Sequence, residues 1–556
     1  MNFCFRSFKS QSMVAFTASC VWAIGSVACA QETTAPATSR PVPTPNSNQP
    51  LSTLERLRVS EFRFEGNTAF PTSELVAVVS SFLNRDISSE ELEEARRALT
   101  LHYVNRGFIN SGALLKDQTV RDGIVVFTLV EGKLSQLELT GNRHYRKGFL
   151  EREIRRFSGA PFNVTKVRQR LEILRQNPNL SRINADVQPG TRPGEAILRV
   201  GIEENEPIGI GFQFDNQRPA SIGAERVSLI AGTTNLTGRD DSLDLRLALT
   251  RGGFDEPRAS GLRDFSLSYQ SPPFLGRNAM LLNFGKSDSA VIEEPFKDLD
   301  ISSRFQNYSI GFRHLQRKTL EEEIGFTLTL EHRRSLTFLA GDRFSFSRGD
   351  VNGEAKTTAI RLGEDFLKRN QNRVFAARGL LSINAGFPGS TSSPGNRDDH
   401  FVVALGQAQY VQVLNNAGRQ LLLRASGQLA SRPLLTVEQF SLGGADSVRG
   451  YRENQLVRDT GFSASAEMRF PVARAKSGQN ILVLAPFADF GIGKNRSSAA
   501  PTESDTLSSI GIGAIYTPGR RLNAQLYYGY PLRKVDSPGN DLQDRGITFS
   551  VVFNLN

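Results

Sequence analysis

Cysteine is nearly absent from this chain of 556 residues: Cys4, Cys20 and Cys29 are the only three, and all lie at the N-terminal end. That end reads as a secretory signal. Arg6 and Lys9 give a positive start, Met13 to Ala28 an apolar stretch, and Ala28-Cys29-Ala30 a small-x-small cleavage site. Residues 1–30 are therefore expected to be removed, leaving Gln31 as the new N-terminus. A lipid anchor on Cys29 would want a large aliphatic residue where Ser26 stands. The mature chain is then exported yet free of thiols. A disulfide-stapled scaffold and a thiolate–metal site are both excluded.

Other absences narrow the function. Past the signal there is no run of about 18 apolar residues, so no transmembrane helix is expected. The net charge is +10, but basic and acidic residues are interleaved, which gives no nucleic-acid footprint. His102, His144, His314, His332 and His400 are scattered and make no metal-ligand spacing. There is no Walker loop, and the Gly-x-Gly runs near Gly209 and Gly511 sit in strand patterns rather than before helices. No Gly-x-Ser-x-Gly elbow occurs. Nothing selects a nucleophile and base, so no catalytic residue, cofactor or metal is assigned and the chain is not expected to be an enzyme.

What is present falls into three parts. Residues 31–56 form a linker, rich in Pro, Thr, Ser and Asn as far as Leu51, without apolar periodicity; it is expected to be extended or disordered and carries no amphipathic helix. A repeat follows. Val59 to Asn67 reads Val-Ser-Glu-Phe-Arg-Phe-Glu-Gly-Asn, and Leu134 to Asn142 reads Leu-Ser-Gln-Leu-Glu-Leu-Thr-Gly-Asn. Each is a period-two strand ending in a Gly-Asn turn, at Gly66-Asn67 and Gly141-Asn142.

After the first turn, helices are predicted over Pro71 to Leu83 and Ser88 to Arg106. The second opens with a Ser88-x-x-Glu91 capping box and carries Leu92, Ala95, Leu99 and Tyr103 on one face. Strands over Gly112 to Thr119 and Gly123 to Val130 close this copy, with Glu131-Gly132 as the exit. The second copy predicts a short helix over Gly148 to Phe157, a longer one over Val164 to Gln176, and strands over Ala185 to Gln188 and Glu195 to Glu203. The expected order is β-α-α-β-β in each of two small α+β domains, 57–132 and 133–206. Their exposed sheet edges could accept an extended peptide by strand addition.

From residue 207 to 556 the helical period vanishes and alternation takes over. Ile208, Ile210, Phe212 and Phe214 alternate with Gly209, Gly211, Gln213 and Asp215; Ile510 and Ile512 do so with Ser509 and Gly511. About 16 such segments of about ten residues occur, apolar on one face and polar or charged on the other, which points to a transmembrane β-barrel of about 16 antiparallel strands. Short turns are predicted at Asn235–Asp241, Pro272–Arg277, Lys368–Asn372, Asn415–Arg419 and Thr517–Arg520. Longer loops are predicted at Ser287–Ser303, Ser335–Asn352, Gly389–Asp399 and Leu434–Asp459. With the small domains N-terminal to the first strand, the short turns lie on the periplasmic side.

The loop 434–459 contains Gly443-Gly444-Ala445-Asp446-Ser447-Val448-Arg449-Gly450-Tyr451, an arginine set between small residues and an aromatic. Two strands later comes Phe487-Ala488-Asp489-Phe490-Gly491. Period two puts Phe487, Asp489 and Gly491 on the lumenal face, with Leu482, Leu484 and Phe490 toward lipid. Asp489 is thus within reach of Arg449 if the loop folds inward. Arginine suits a planar bidentate contact, and such a pair specifies a conformation more than it adds stability.

These features resemble a known family. Residues 57–205 are similar to tandem POTRA (polypeptide-transport-associated) domains, in the strand with Gly-Asn, the two-helix insertion and the acidic exit. Gly443-Gly444 with Val448-Arg449-Gly450-Tyr451 resembles the sixth-loop signature of outer-membrane assembly and secretion transporters, and Phe487-x-Asp489-x-Gly491 their barrel-wall motif. Two POTRA-like domains without a passenger resemble the haemolysin/adhesin secretion-activation proteins of two-partner secretion. The resemblance implies an outer-membrane transporter that captures an unfolded exoprotein by its N-terminal secretion domain and passes it to the cell surface without nucleotide hydrolysis. It implies outer-membrane lipid around the barrel, the barrel assembly machinery as inserter, and a monomer that binds no nucleic acid. The alternatives are an assembly factor of the same superfamily and a passive porin or receptor. Two departures stand out: no plug helix is evident in Gln31 to Leu51, and the chain ends in Asn556 rather than an aromatic, with Phe553 nearby.

Overall fold

The computed structural model describes residues 51, 55–250, 262–275, 277–294, 296–347, 349–391, 400–496, 505–537, 539 and 541–555. The expected signal 1–30, nearly all of the linker 31–56, most of the loop Gly389–Asp399 and Asn556 lie outside the described residues. The described residues divide into two compact units. One holds those up to Glu138 with Glu153–Arg170 and Ala185–Val200; the other holds Leu139–Arg152, Leu171–Asn184 and those from Gly201 onward.

The first small domain contains β1 (Arg56–Val59), β2 (Glu61–Glu65), α1 (Thr72–Val78), β3 (Arg85–Ser88), α2 (Ser89–Asn105), β4 (Gly112–Leu114) and β5 (Ile124–Val130). Its main sheet has the order β2-β5-β4, with β2 parallel to β5. The α2 helix starts where the capping box places it: Glu91 N–H donates to Ser88 Oγ and Ser88 N–H to the Glu91 carboxylate. An N-cap of this kind contributes about 1 kcal/mol. Leu92, Ala95, Leu99 and Tyr103 all face the core, against Val125, Phe127 and Leu129 of the sheet.

Three expectations need correction here. The single first strand is two strands, because the chain changes partner at Ser60. β1 pairs with the unpredicted β3, while Ser60 N–H and Oγ–H donate to the carbonyls of Gly123 and Asp122. The apolar parity shifts at the same point, from Leu57 and Val59 to Phe62 and Phe64. The predicted strand Gly112–Thr119 stops at Leu114, since the Gln118 side chain takes both main-chain bonds of Val126 that a strand would have taken. The element order is therefore β-β-α-β-α-β-β.

The second domain contains β6 (Lys133–Thr140), α3 (Lys147–Ser158), α4 (Val164–Arg175), β7 (Leu180–Pro189) and β8 (Glu195–Glu204), with sheet order β6-β8-β7. Its helices are equal in length, 12 residues each, not short and long. β7 begins at Leu180, ahead of the predicted Ala185, because this edge strand is polar and exposed along most of its length and shows little alternation.

The two Gly-Asn turns have one construction. Gly66 and Gly141 have φ +89° and +84°, and a Cβ on either would strike a carbonyl, of Leu129 and Ile202 respectively. Asn67 Nδ2 and Asn142 Nδ2 each donate at 3.0 Å to a carbonyl three residues on, of Phe70 and Tyr145. The acidic exit residues close the turns: Glu131 accepts from Thr68 and Ala69 N–H, and Glu204 from Arg143 and His144 N–H. Burial works against ionisation of Glu131, yet these N–H donors and the Thr68 hydroxyl hold its carboxyl below the usual value.

The rest of the chain is one closed barrel. Its strands are β9 (Ile208–Asp215), β10 (Arg226–Thr233), β11 (Ser242–Thr250), β12 (Leu262–Gln270), β13 (Asn278–Ala290), β14 (Ile301–Lys318), β15 (Glu322–Leu339), the two-residue β16 (Asp342–Arg343), β17 (Glu354–Arg369), β18 (Arg373–Ala385), β19 (His400–Val413), β20 (Gln420–Ala430), β23 (Thr460–Arg474), β24 (Asn480–Lys494), β25 (Asp505–Tyr516), β26 (Leu522–Pro531) and β27 (Ile547–Asn554). Two further short strands, β21 (Phe440–Leu442) and β22 (Leu456–Arg458), pair with each other within the loop between β20 and β23. Leaving aside β16, an outgrowth of β15, the wall has 16 antiparallel strands, closed by β27 on β9.

Burial in the barrel is inverted relative to a soluble core. Phe212, Leu328, Ile510 and Leu526 are exposed on the outer face, while Glu331, Arg361, Glu467 and Asp489 are buried. Apolar groups that face water would be costly; facing lipid they are at home. The loops at one end are shorter than expected because β13 runs to Ala290 and β15 to Leu339, through polar sequence. Among the described residues, the loop 216–225 and most of 532–546 at that end were also not predicted.

Candidate functional site

The chain between β20 and β23 turns into the barrel, and its tip is built for close backbone contact. Gly443, Gly444 and Gly450 have φ near +98°, +95° and +93°, a region costly for residues with a Cβ. The Glu453 carboxylate occupies the space a Gly444 side chain would need. It also accepts from Ala445 N–H at 2.7 Å, which fixes the turn. A Cβ on Gly450 would sit 2.8 Å from the carbonyl of Gly529 on β26, so backbone lies directly on backbone there.

These contacts present Arg449 to the wall. Its Nε donates to Asp489 Oδ2 at 2.8 Å, Nη2 to Asp489 Oδ1 at 2.8 Å, and its main-chain N–H to Oδ2 at 3.0 Å. Nη1 donates to Glu467 Oε2 at 2.6 Å and Nη2 to Ser465 Oγ at 3.0 Å. The guanidinium carbon lies 3.5 Å from the Phe487 ring centroid and 4.9 Å from that of Tyr527. Arg449 is 2% exposed and the Asp489 and Glu467 side chains 0%. Removing the cation from such a site would strand the buried Asp489 carboxylate and leave Glu467 only Arg469, a loss of about 3–5 kcal/mol.

The neighbouring motif residues fit around this contact. A Cβ on Gly491 would lie 2.8 Å from Val448 Cγ2, so the small residue of the wall motif makes room for the loop valine. Val448 and Tyr451 pack with Leu442 and Leu507. The Tyr451 hydroxyl lies 2.9 Å from the Ser508 carbonyl oxygen and 2.8 Å from that of Arg533, where it donates. Phe487, Asp489, Gly491, Val448, Arg449, Gly450 and Tyr451 thus meet at one place. Gly66, Asn67, Gly141 and Asn142 are not part of it; they shape turns in the small domains.

Several participants are not evident in the sequence. Glu467 and Ser465 share the polar face of β23, and register sets Ser465 opposite Asp489; period two could have found them. Arg452 forks to Asp544 (2.5 and 2.6 Å) and Glu293 (2.8 and 3.0 Å), tying the loop to two others. A second buried ionic cluster holds the loop's first arm. Glu438 accepts from Arg361 at 2.9 Å, from Thr357 Oγ1 at 2.9 Å, and meets Arg333 at 3.1 Å. Arg361 and Arg333 in turn bind Glu331. No signature surrounds Glu438, and its partners lie on β15 and β17, far away in sequence. Among the described residues, no three His, Cys, Asp or Glu are grouped to hold a metal ion.

The barrel, the inward loop and the pair of small domains agree with comparisons to known proteins. Residues 194–516 match the family described as haemolysin secretion/activation protein ShlB/FhaC/HecB, and residues 57–132 match the ShlB-type POTRA domain. The chain belongs to this family. It is 21% identical over 483 residues to the outer membrane transporter CdiB of Dickeya dadantii, covering 85% of this chain and 82% of that one. It is 24% identical over 416 residues to the hemolysin transporter protein ShlB of Serratia marcescens, covering 73% and 71%. The fold is similar to that of CdiB from Escherichia coli, with TM-score 0.66, 20% identity and coverage of 92% and 93%. It is also similar to BamA from Haemophilus ducreyi lacking POTRA domains 1–3, with TM-score 0.53, 14% identity and coverage of 90% and 100%. The protein is an outer-membrane transporter of the two-partner secretion type, with its POTRA domains in the periplasm.

Proposed function

We propose that the POTRA domains capture one unfolded exoprotein in the periplasm through its N-terminal secretion domain, and that the barrel passes it outward in extended form. The sheet edges at β2, β4, β6 and β7 offer main-chain groups that an extended segment can pair with. Transport runs without nucleotide hydrolysis, drawn by folding of the exoprotein outside. The transporter acts as a monomer, is no enzyme, and is itself inserted by the barrel assembly machinery.

The observation that carries this reading is the loop 434–459 lying in the lumen, held by Arg449 on Asp489 and Glu467. A loop held inside the lumen on buried charge pairs suits a conduit that opens for cargo, and suits a passive porin poorly. The loop serves as a latch that must leave, or shift aside, when cargo enters. Surface delivery of a candidate exoprotein co-expressed with this chain tests the reading. Deleting residues 57–206 should abolish surface delivery while the barrel still inserts; undiminished delivery would defeat it. The assembly-factor alternative would instead show as a fall in many unrelated outer-membrane barrels.

A further inference from the structure

A cavity of about 470 Å³ opens at the periplasmic rim of the barrel, lined among others by Phe149 and Arg152 of α3, Arg239 of the β10–β11 turn, and Pro272, Phe274 and Met280 around the β12–β13 turn. All of these residues belong to the same compact unit. Two cations from separate segments converge on it. Arg152 and Arg239 are exposed, and neither has a hydrogen bond or ion pair within the described residues. The neighbouring acids are engaged elsewhere: Glu151 with Lys147, Asp240 with Tyr145 and Asn177, and Asp241 with Thr237.

The other side of the cavity is apolar and continuous with the lipid-facing wall. Met280 is on the outward face of β13, and Phe274 packs edge-on to the outward Phe312 with centroids 6.0 Å apart. Leu275, at the tip of the same turn, is 90% exposed. An exposed leucine at the end of a barrel wall is where acyl chains begin, and arginine is the side chain that best matches phosphate oxygens.

We infer that this cavity binds the phosphodiester headgroup of an anionic phospholipid of the periplasmic leaflet, with its acyl chains against Phe274, Leu275 and Met280. Arg152 and Arg239 supply the charge, and the apolar rim selects a lipid over a free anion. The site would clamp the start of α3 to the barrel rim through the bilayer itself.

Native mass spectrometry of the full-length transporter, released from discs of mixed phosphatidylglycerol and phosphatidylethanolamine, tests this. The protein should retain phosphatidylglycerol in preference, and Arg152→Gln with Arg239→Gln should lower that retention roughly tenfold. Arg152→Lys with Arg239→Lys should restore part of it, and heat-modifiable migration should show all barrels folded. Equal retention in the glutamine variant would overturn the proposal. So would equal retention of phosphatidylethanolamine by the unaltered protein, or displacement of the bound lipid by millimolar inorganic phosphate.

Discussion

The inward loop is held by two buried ionic clusters with opposite polarity. At its tip the loop brings the cation, Arg449, to wall carboxylates Asp489 and Glu467, the latter also bound by Arg469. On its first arm the loop brings the anion, Glu438, to wall cations Arg361 and Arg333, which share Glu331. Each cluster holds two charges of each sign, although at the tip Arg469 is 34% exposed. They differ in what remains when the loop leaves. At the tip, Asp489 loses its cation. On the arm, the two arginines keep Glu331. The tip is therefore the costlier contact to break and the arm the more readily released one.

Arg449→Ala should have the largest effect. It strands Asp489 and should cost the closed loop about 3–5 kcal/mol. Exoprotein on the cell surface should fall at least tenfold, with heat-modifiable migration of the barrel unchanged. Arg449→Lys should rescue little, since an ammonium cannot fork onto Asp489 or stack on Phe487 as the planar group does. Glu438→Gln should cost less, about 1–3 kcal/mol, because Glu331 still serves both arginines. Its loop should become more open to external protease, with the variant still secreting. If the two single variants behaved alike, the asymmetry would be wrong.

Gly450→Ala probes the backbone contact rather than the charges. A methyl at φ +93°, 2.8 Å from Gly529, should cost about 1–3 kcal/mol and lower the temperature at which the loop becomes protease-sensitive. The smallest effect lies in the first POTRA domain. The Glu131 carboxyl is held below its usual value, so its stabilisation is present above the unfolded-state pKa and is lost as pH falls through the folded one. Hydrogen exchange at Thr68 and Ala69, corrected for intrinsic rates, should rise as pH drops below about 4.5. Glu131→Gln should already exchange faster at neutral pH.

The contrast between the clusters also shows what the sequence made legible. Arg449 was readable because local geometry leaves marks: glycines where φ is positive, an aromatic beside them, and Phe-x-Asp-x-Gly on a period-two face. The barrel was readable for the same reason, since lipid on one side and lumen on the other enforce alternation. Glu438 was not readable. A buried carboxylate whose partners come from β15 and β17 has no local signature, and its location depends on barrel closure. The split at Ser60 was missed although the apolar parity shifts there. The early stop of β4 was missed because a single side-chain amide, on Gln118, replaces a strand's hydrogen bonds.

The two buried ionic clusters act as independent anchors that, with the more exposed Arg452 fork, keep the loop in the lumen. Conductance of the purified transporter in planar bilayers tests it most directly. Arg449→Ala combined with Glu438→Gln should conduct more than either single variant, and both singles more than the unaltered protein. A double variant no more conductive than the unaltered transporter would show that these clusters do not hold the loop in the lumen.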